Sequence, residues 1–363
     1  MCDLSVNCHV CDSSVTCLHE RYVDQILREL DRRITHQVKE NAKVVDAFVK
    51  ELQKQFRTNT FLYNAHFVDV MHGGSAYEAL SVKLKTDFDI IIVLPDPYIG
   101  QNFEVQRDPS KYFKLKWKNQ ARSGCQGFLN AAQLQKQAFE ELEKCVSNVH
   151  APGVREATYR LGLAACTVTL KKFNNTIISI DLAPQIAVRD WKSSHLVKLQ
   201  SLPQSLQSYI STLERNCSPI YFFSPAVPGN AGNKDYLCNI SFSMLEKEFL
   251  KSNVKVRDMV RLVKLVGEAF QWPKKFGLKS FYIKRLAVKY FDELKNKTKW
   301  DGYKYILACL YKELQETKTI DGFFVTDQIT YKKKPENTQE FLKDINVVYH
   351  LSSTDVQQKV KFD

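Results

Sequence analysis

Two aspartates, Asp87 and Asp89, lie one residue apart at the start of an apolar segment that covers residues 88–94. Such a run of aliphatic residues predicts a buried β-strand, and alternate residues of a strand point to the same face. The two carboxylates therefore project together, where they repel each other and lose hydration unless a cation neutralises them. This pattern predicts a divalent-cation site, and Mg²⁺ that enters with the phosphates of a nucleotide is the simplest occupant.

A glycine-rich turn, Gly73-Gly74-Ser75, precedes the paired aspartates by about a dozen residues. Because glycine has no Cβ, its backbone N–H groups can approach an anion closely, and the Ser75 hydroxyl adds a donor. Such a turn followed at short range by two strand aspartates indicates a phosphate site beside a cation. The simpler interpretation is an ordinary turn with two surface aspartates at a strand end.

A third acid, Asp181, ends a second apolar segment at residues 176–181. Three carboxylates around two metal ions form the arrangement that in-line phosphoryl or nucleotidyl transfer requires. Taken alone, an aspartate after a strand is more often a turn residue or a helix cap. Its interpretation as a metal ligand therefore depends on Asp87 and Asp89, and only the fold can bring the three acids together.

These segments, with three more places along the chain, resemble the active site of cyclic GMP-AMP synthase and its animal relatives, the cGAS-like receptors. The acids alone would fit the wider nucleotidyltransferase superfamily. The stretch Ser-Phe-Ser-Met-Leu-Glu-Lys-Glu at 241–248 narrows the resemblance to the synthase and the cGAS-like receptors. The resemblance covers residues 21–350. The segments that carry it are 74–78, 87–89, 179–181, 241–248, Lys264 and 279–284.

The resemblance implies that Asp87, Asp89 and Asp181 bind two Mg²⁺ ions, with Mn²⁺ as the alternative metal. It also implies that Asp181 helps to deprotonate an attacking ribose hydroxyl, and that ATP and GTP are the substrates. For Lys264 and Phe281 the alternatives are a solvated helix lysine and core packing. The nucleotide-binding residues that the resemblance implies are Gly74, Ser75, Ser241, Glu246, Lys247, Lys264, Ser280 and Phe281.

The chain departs from the vertebrate synthase in three places. Nothing between Leu250 and Lys264 supplies the His and clustered cysteines of the zinc thumb, Asn239 stands where an arginine precedes the Ser-Phe-Ser motif, and Ala183 replaces a threonine. The missing thumb makes the chain similar to invertebrate members that respond to double-stranded RNA. The other two changes leave the choice of base and the linkage of the product open.

Composition indicates a folded protein that binds polyanions. The chain has 363 residues, 44% of them hydrophobic, and a net charge of +12, which makes nucleic acid the first candidate partner.

No apolar run is long enough to span a membrane, and residues 1–17 lack the pattern of a signal peptide. We therefore expect a cytoplasmic protein with free thiols. For residues 1–20 we expect a flexible, cysteine-containing tail. A zinc site that includes Cys8 and Cys11 is the alternative.

Hydrophobic spacing predicts a long amphipathic helix at 22–56, which corresponds to the spine helix of the family. Its other face is basic, and a solvated face is the alternative to nucleic-acid contact. The nucleic-acid contacts that we predict are Arg28, Arg32, Lys39, Lys43 and Arg261.

The remaining pattern predicts an α/β (α+β) fold with two lobes. A spine helix and a mixed-sheet nucleotidyltransferase core occupy residues 21–190, and a mainly helical lobe occupies 191–363. Further predicted strands are at 111–118, 157–171 and 176–183, with a surface loop at 219–232. Further predicted helices are at 131–146, 242–250, 256–270, 281–294 and 303–314.

These observations favour a nucleotidyltransferase, activated by double-stranded RNA, that makes a cyclic dinucleotide messenger in innate immune signalling. Its partners would be ATP, GTP and the RNA, and it would bind no membrane. A homodimer that forms on nucleic acid is one arrangement of the protein. The alternatives are a catalytically silent scaffold of the same fold, a DNA-activated synthase, a linear 2′–5′ oligoadenylate synthetase and a pure RNA-binding module.

Overall fold

The protein has a mixed α/β fold built on a mixed sheet. The computed structural model describes residues 13–59, 69–73, 80–82, 86–109, 112–118, 127–162, 165–191, 202–225, 234–317, 319–321, 328–330 and 335–360. The described strands are β1 (Val70–Gly73), β2 (Asp87–Val93), β3 (Phe103–Arg107), β4 (Phe113–Trp117), β5 (Val154–Leu161), β6 (Cys166–Lys172), β7 (Ile177–Val188), β8 (Tyr221–Ser224), β9 (Asn239–Ser241), β10 (Thr319–Asp321) and β11 (Gln328–Thr330).

The helices lie before, within and after the strands. The described α-helices are α1 (Ser13–Asn59), α2 (Ala131–Ser147), α3 (Gln204–Arg215), α4 (Ser243–Lys251), α5 (Val254–Ala269), α6 (Trp272–Phe276), α7 (Ser280–Lys289), α8 (Phe291–Leu294), α9 (Lys299–Thr317), α10 (Pro335–His350) and α11 (Ser353–Lys359). No helix in the described part of the chain combines the length and apolar character that a membrane span requires.

The main sheet has the strand order β1-β2-β7-β6-β5, and β8 and β9 extend it from the second half of β7. Strand β2 pairs parallel with β7, whereas the other pairs of this sheet are antiparallel. The long strand β7 is therefore the centre of the sheet. The inward-facing residues Ile178, Ile180 and Leu182 are fully buried in its core.

Helix α1 packs against α2 beside the sheet and against α5, α9 and α11 in the helical part. Its apolar stripe is buried over most of its length, from Val23 and Leu30 to Phe48 and Phe56. An amphipathic stripe of this kind stabilises a long helix through tertiary packing more than through intrinsic propensity. The stripe predicted from the sequence is confirmed, although the helix begins at Ser13 and so includes part of the segment predicted to be a tail.

Several predicted elements agree with the structure in type and position. Strand β4 alternates as predicted, with Phe113, Leu115 and Trp117 buried, and helices α2, α4, α5 and α9 begin within a few residues of their predicted starts. The single helix predicted at 281–294 is instead two helices, α7 and α8, separated at Tyr290.

The predicted surface loop at 219–232 is wrong in part. Tyr221, Phe222 and Phe223 form strand β8 and are fully buried. Consecutive aromatic residues are strong strand formers, and the neighbouring Pro219 and Pro225 misled the prediction. The sheet thus continues into the part of the chain that was predicted to be mainly helical.

The six described cysteines are all free thiols, and two of them, Cys17 and Cys217, are exposed. Burial raises the pKa of the Cys145 thiol to about 11 and that of the other buried thiols to about 12. The buried thiols are Cys145, Cys166, Cys238 and Cys309.

We expect the buried thiols to resist alkylation in the folded protein. Because the thiolate is the reacting species, a pKa raised by two units leaves about 100-fold less of it at pH 8. Iodoacetamide labelling followed by peptide mass spectrometry should therefore modify Cys17 and Cys217 at least tenfold faster. In guanidinium chloride the six thiols should react at similar rates, and rapid labelling of Cys238 in the native protein would contradict the burial.

Candidate functional site

One row of the sheet brings together Gly73, Asp89 and Asp181. Gly73 lies opposite Asp89 in the antiparallel β1–β2 pair, and Asp89 lies beside Asp181 in the parallel β2–β7 pair. Neighbouring strands are about 4.8 Å apart, so this row spans about 10 Å. Asp87 is two residues before Asp89 on the same face and lies beside Ser179. The three acids predicted from the sequence therefore share one face of two adjacent strands.

Strand β6 adds a fourth member to this row. Thr167 lies opposite Asp181 in the antiparallel β6–β7 pair, and its Oγ1 donates a hydrogen bond to Asp181 Oδ1 at 2.7 Å. This bond fixes the orientation of the carboxylate. Sequence reasoning missed Thr167, although the alternation of buried and half-buried residues along β6 places it on the polar face.

A cleft of about 530 Å³ separates this row from the helical part of the chain. Strands β2 and β7 supply its acids, Asp89 and Asp181, while helices α5 and α7 supply Lys264 and Lys284. Acidic side chains on one side and lysines on the other suit a ligand that carries both a bound cation and anionic groups.

Six of the eleven residues predicted to be catalytic or nucleotide-binding meet at this cleft. Ala183 and Asn239, the two positions that depart from the family pattern, also line it. Gly74 and Ser75 lie outside the described residues. The predicted site residues that line the cleft are Asp89, Asp181, Ser241, Lys264, Ser280 and Phe281.

The acids do not form a preassembled metal cage. Among the residues that the structure describes, no three His, Cys, Asp or Glu side chains are grouped so that they could hold an ion. Asp87 and Asp89 are nevertheless exposed, and carboxylate oxygens are the ligands that Mg²⁺ prefers. The donor set fits such an ion by its chemistry and by its position on one sheet face.

Two buried lysines contact backbone carbonyls that flank the Gly73-Gly74-Ser75 sequence. Lys264 Nζ donates to the Leu80 carbonyl at 2.5 Å, and Lys247 Nζ donates to the His72 carbonyl. His72 and Leu80 lie on either side of the turn, while the lysines belong to α5 and α4. The two helices therefore contact the chain at His72 in β1 and at Leu80.

His72 also connects this region to the long helix α1. Its Nε2 lies 3.1 Å from Asp46 Oδ1. Burial lowers the pKa of His72, and the carboxylate of Asp46 opposes that shift. A chain of polar contacts therefore runs from α1 through β1 to Lys247 on α4.

Glu246 and Lys247, for which the resemblance implies nucleotide binding, are engaged inside the protein. Glu246 is only 1% exposed, and its carboxylate lies 3.1 Å from Arg285 Nε and 3.5 Å from Lys284 Nζ. Neither Glu246 nor Lys247 is among the cleft-lining residues that the structure describes. Their contacts favour an internal role that positions α4 against α7 and β1.

Phe281 is partly buried, lines the cleft and packs against neighbours on its own helix. Its ring centroid lies 4.1 Å from that of Tyr282, and the Arg285 guanidinium lies 5.4 Å from its ring. Both readings of this residue from the sequence, core packing and contact with a ligand, are compatible with this position.

The predicted nucleic-acid contacts divide into two groups. Arg28, Arg32, Lys39 and Lys43 are exposed on α1, and pairs such as Arg32 with Glu29 are surface pairs that contribute little to stability. Arg261 is different, because it is only 7% exposed and its guanidinium lies 2.5 Å from Asp31. Its position favours a structural contact between α5 and α1.

No protein-family model matches this chain, and no curated protein is significantly similar to it. The geometry of the cleft is therefore the basis for a functional proposal.

We expect Glu246→Gln to destabilise the protein strongly. The change leaves Lys284 and Arg285 with an uncompensated charge in a buried region, which costs about 3–5 kcal/mol in comparable cases. Urea denaturation monitored by circular dichroism should measure this loss.

The control is Glu316→Gln on α9. The Glu316 side chain is 58% exposed and its partner Lys312 is 69% exposed, so the expected cost is below about 1 kcal/mol. Equal destabilisation by the two changes would contradict the importance of the buried ion pairs.

Proposed function

We propose that this protein is a metal-dependent nucleotidyltransferase that joins two nucleoside triphosphates into a cyclic dinucleotide. The observation that carries the proposal is the row of Gly73, Asp89 and Asp181 at a cleft whose opposite side presents Lys264. In this proposal the sheet and the helices form two lobes of a nucleotidyltransferase fold, and the substrates bind between them.

Asp87, Asp89 and Asp181 would hold Mg²⁺, or Mn²⁺ in its place, because they are hard oxygen donors on one face. When bound, the metal would supply charge stabilisation for the attacking and leaving oxygens. The absence of a preassembled cage among the described side chains suits a metal that arrives with the triphosphate.

In the proposed chemical step, a ribose hydroxyl of one nucleotide attacks the α-phosphate of the other. The new P–O bond forms as the bond to pyrophosphate breaks. Asp181, oriented by Thr167, accepts the proton of the attacking hydroxyl. A second transfer of the same kind closes the ring.

The helical side of the cleft would bind the rest of the substrate. Lys264 and Ser280 line this side of the cleft, and their ammonium and hydroxyl groups would donate hydrogen bonds to phosphate oxygens. Phe281 would stack on a base. Stacking tolerates any base, so this contact contributes affinity with little selectivity.

Double-stranded RNA is the activator that we propose, acting in a cytoplasmic antiviral response. The net charge of +12 favours a polyanion, and the exposed cations of α1 can exchange weak surface pairs for phosphates. The contacts of His72 with Asp46 and Lys247 offer a physical connection between α1 and the segment that holds the glycine-rich turn.

We expect Asp181→Asn to lower the rate of product formation about 10²–10⁴-fold, because it removes a general base and a metal ligand. The purified chain is incubated with ATP, GTP and MgCl₂, and the products are separated by chromatography and identified by mass spectrometry. Asp235→Asn, a change at an exposed aspartate outside the cleft, should leave the rate unchanged. Full activity of Asp181→Asn would reject the proposal.

We also expect product formation to require long double-stranded RNA. The affinity of the protein for this RNA should fall as the salt concentration rises. Changing both Lys39 and Lys43 to alanine should weaken RNA binding, measured by fluorescence anisotropy, and lower the salt slope by roughly two. Lys312→Ala, which removes an exposed cation on α9, is the control.

The products separate the alternatives. Activation by DNA alone would indicate a DNA-activated synthase, and linear chains would indicate an oligoadenylate synthetase. RNA binding without any product would indicate a silent scaffold or a binding module. Activity that is independent of any duplex would reject the regulatory part of the proposal and leave the chemistry intact.

A further inference from the structure

A buried amide in the wall of the cleft has an unsatisfied oxygen. Gln185 on β7 is only 8% exposed and lines the same cleft as Asp181. Its Oε1 is buried and has no hydrogen-bond partner among the described residues. Buried polar side-chain atoms nearly always have a partner, so this exception calls for an explanation.

The surroundings of Gln185 make this exception costly. Its register neighbour on β2 is Val93, and Val93, Ile91 and Ala187 belong to a small apolar cluster. A carbonyl oxygen that is removed from water beside apolar groups lowers the stability of the fold unless a donor reaches it. An apolar side chain of similar volume would serve the fold better at this position.

The position of Gln185 is fixed by the sheet. Its backbone carbonyl accepts a hydrogen bond from Leu94 N at 2.9 Å, and the strand continues beyond it to Val188. A polar group delivered by a rigid strand is well placed to select a ligand, because little ordering is required when the ligand binds.

The spacing along β7 relates this amide to the acids. Gln185 is four residues beyond Asp181 on the same face, which at about 3.3 Å per residue corresponds to about 13 Å. Ala183, the small residue between them, leaves the face open, and it too lines the cleft. A nucleotide whose phosphates lie at the acids would extend its base along this face toward Gln185.

We infer that Gln185 Oε1 accepts a hydrogen bond from the exocyclic amino group of a nucleobase bound in the cleft, and so selects amino-bearing bases. The inference rests on the proposed function for the identity of the ligand. An amide oxygen can only accept, so its partner must carry an N–H or O–H group, and an exocyclic amino group is a donor that a nucleobase supplies. Phe281 would contribute stacking without selectivity, whereas Gln185 would contribute discrimination between bases.

The test compares nucleotides that differ by one amino group. The pairs are GTP with inosine triphosphate, and ATP with purine riboside triphosphate. Dissociation constants of the full chain with MgCl₂ are measured by calorimetry without activator, so that turnover does not interfere. The wild-type protein should bind the amino-bearing member of at least one pair about tenfold more tightly, and Gln185→Met should abolish this difference.

Gln185→Met also tests the unsatisfied oxygen without any ligand. Methionine has a similar volume and no amide to leave unpaired, so the Tm of the free protein should rise by about 2 °C. The control is Gln133→Met, which changes an exposed glutamine on α2 and should alter neither the Tm nor the binding preference.

The outcomes distinguish this inference from the proposed function. A preference for amino-bearing nucleotides that survives in Gln185→Met would overturn the inference, and so would a fall in the Tm of that variant. Wild-type protein that binds neither member of either pair, with or without double-stranded RNA, would overturn both. A preference that depends on Gln185, in a protein that forms no product, would support the inference and reject the transferase.

Discussion

The parallel pairing of β2 with β7 is the constraint on which the rest of the site depends. It places Asp89 beside Asp181, two residues that the chain separates by several other elements. Because alternate residues face opposite sides, a slip of one residue would turn Asp181 into the core and expose Ile180 or Leu182. Both of these residues are fully buried, so the hydrophobic core itself maintains the register that aligns the acids.

Polar contacts help to set the helices in place against this sheet edge. Lys247 and Lys264 donate to backbone carbonyls of the sheet side, and Glu246 joins α4 to α7 through Arg285. Buried charges are costly unless they are paired, and a paired set of this kind specifies an arrangement more than it stabilises one. The two sides of the cleft are thus held at a defined separation.

The sequence predicts the features that depend on local patterns, and it misses those that depend on distant partners. The stripe of α1, the paired acids of β2 and the alternation of β4 all follow from periodicity. Thr167 could not be predicted, because its role follows from its position opposite Asp181 in the β6–β7 register. Strand β8 was missed because prolines flank its aromatic residues, and the buried state of Glu246 depends on helices that lie far apart in sequence.

The cleft face of β7 changes its chemical character along the strand. It presents a carboxylate at Asp181, a methyl group at Ala183 and an uncharged amide at Gln185, while the opposite face remains apolar. Natural proteins tolerate such departures from simple burial mainly at functional sites. A ligand that lies along this strand meets negative charge at one end and a neutral acceptor at the other. In the function that we propose, a metal-bound triphosphate would lie at the first end and a base at the second, so the strand would define the direction in which a nucleotide binds.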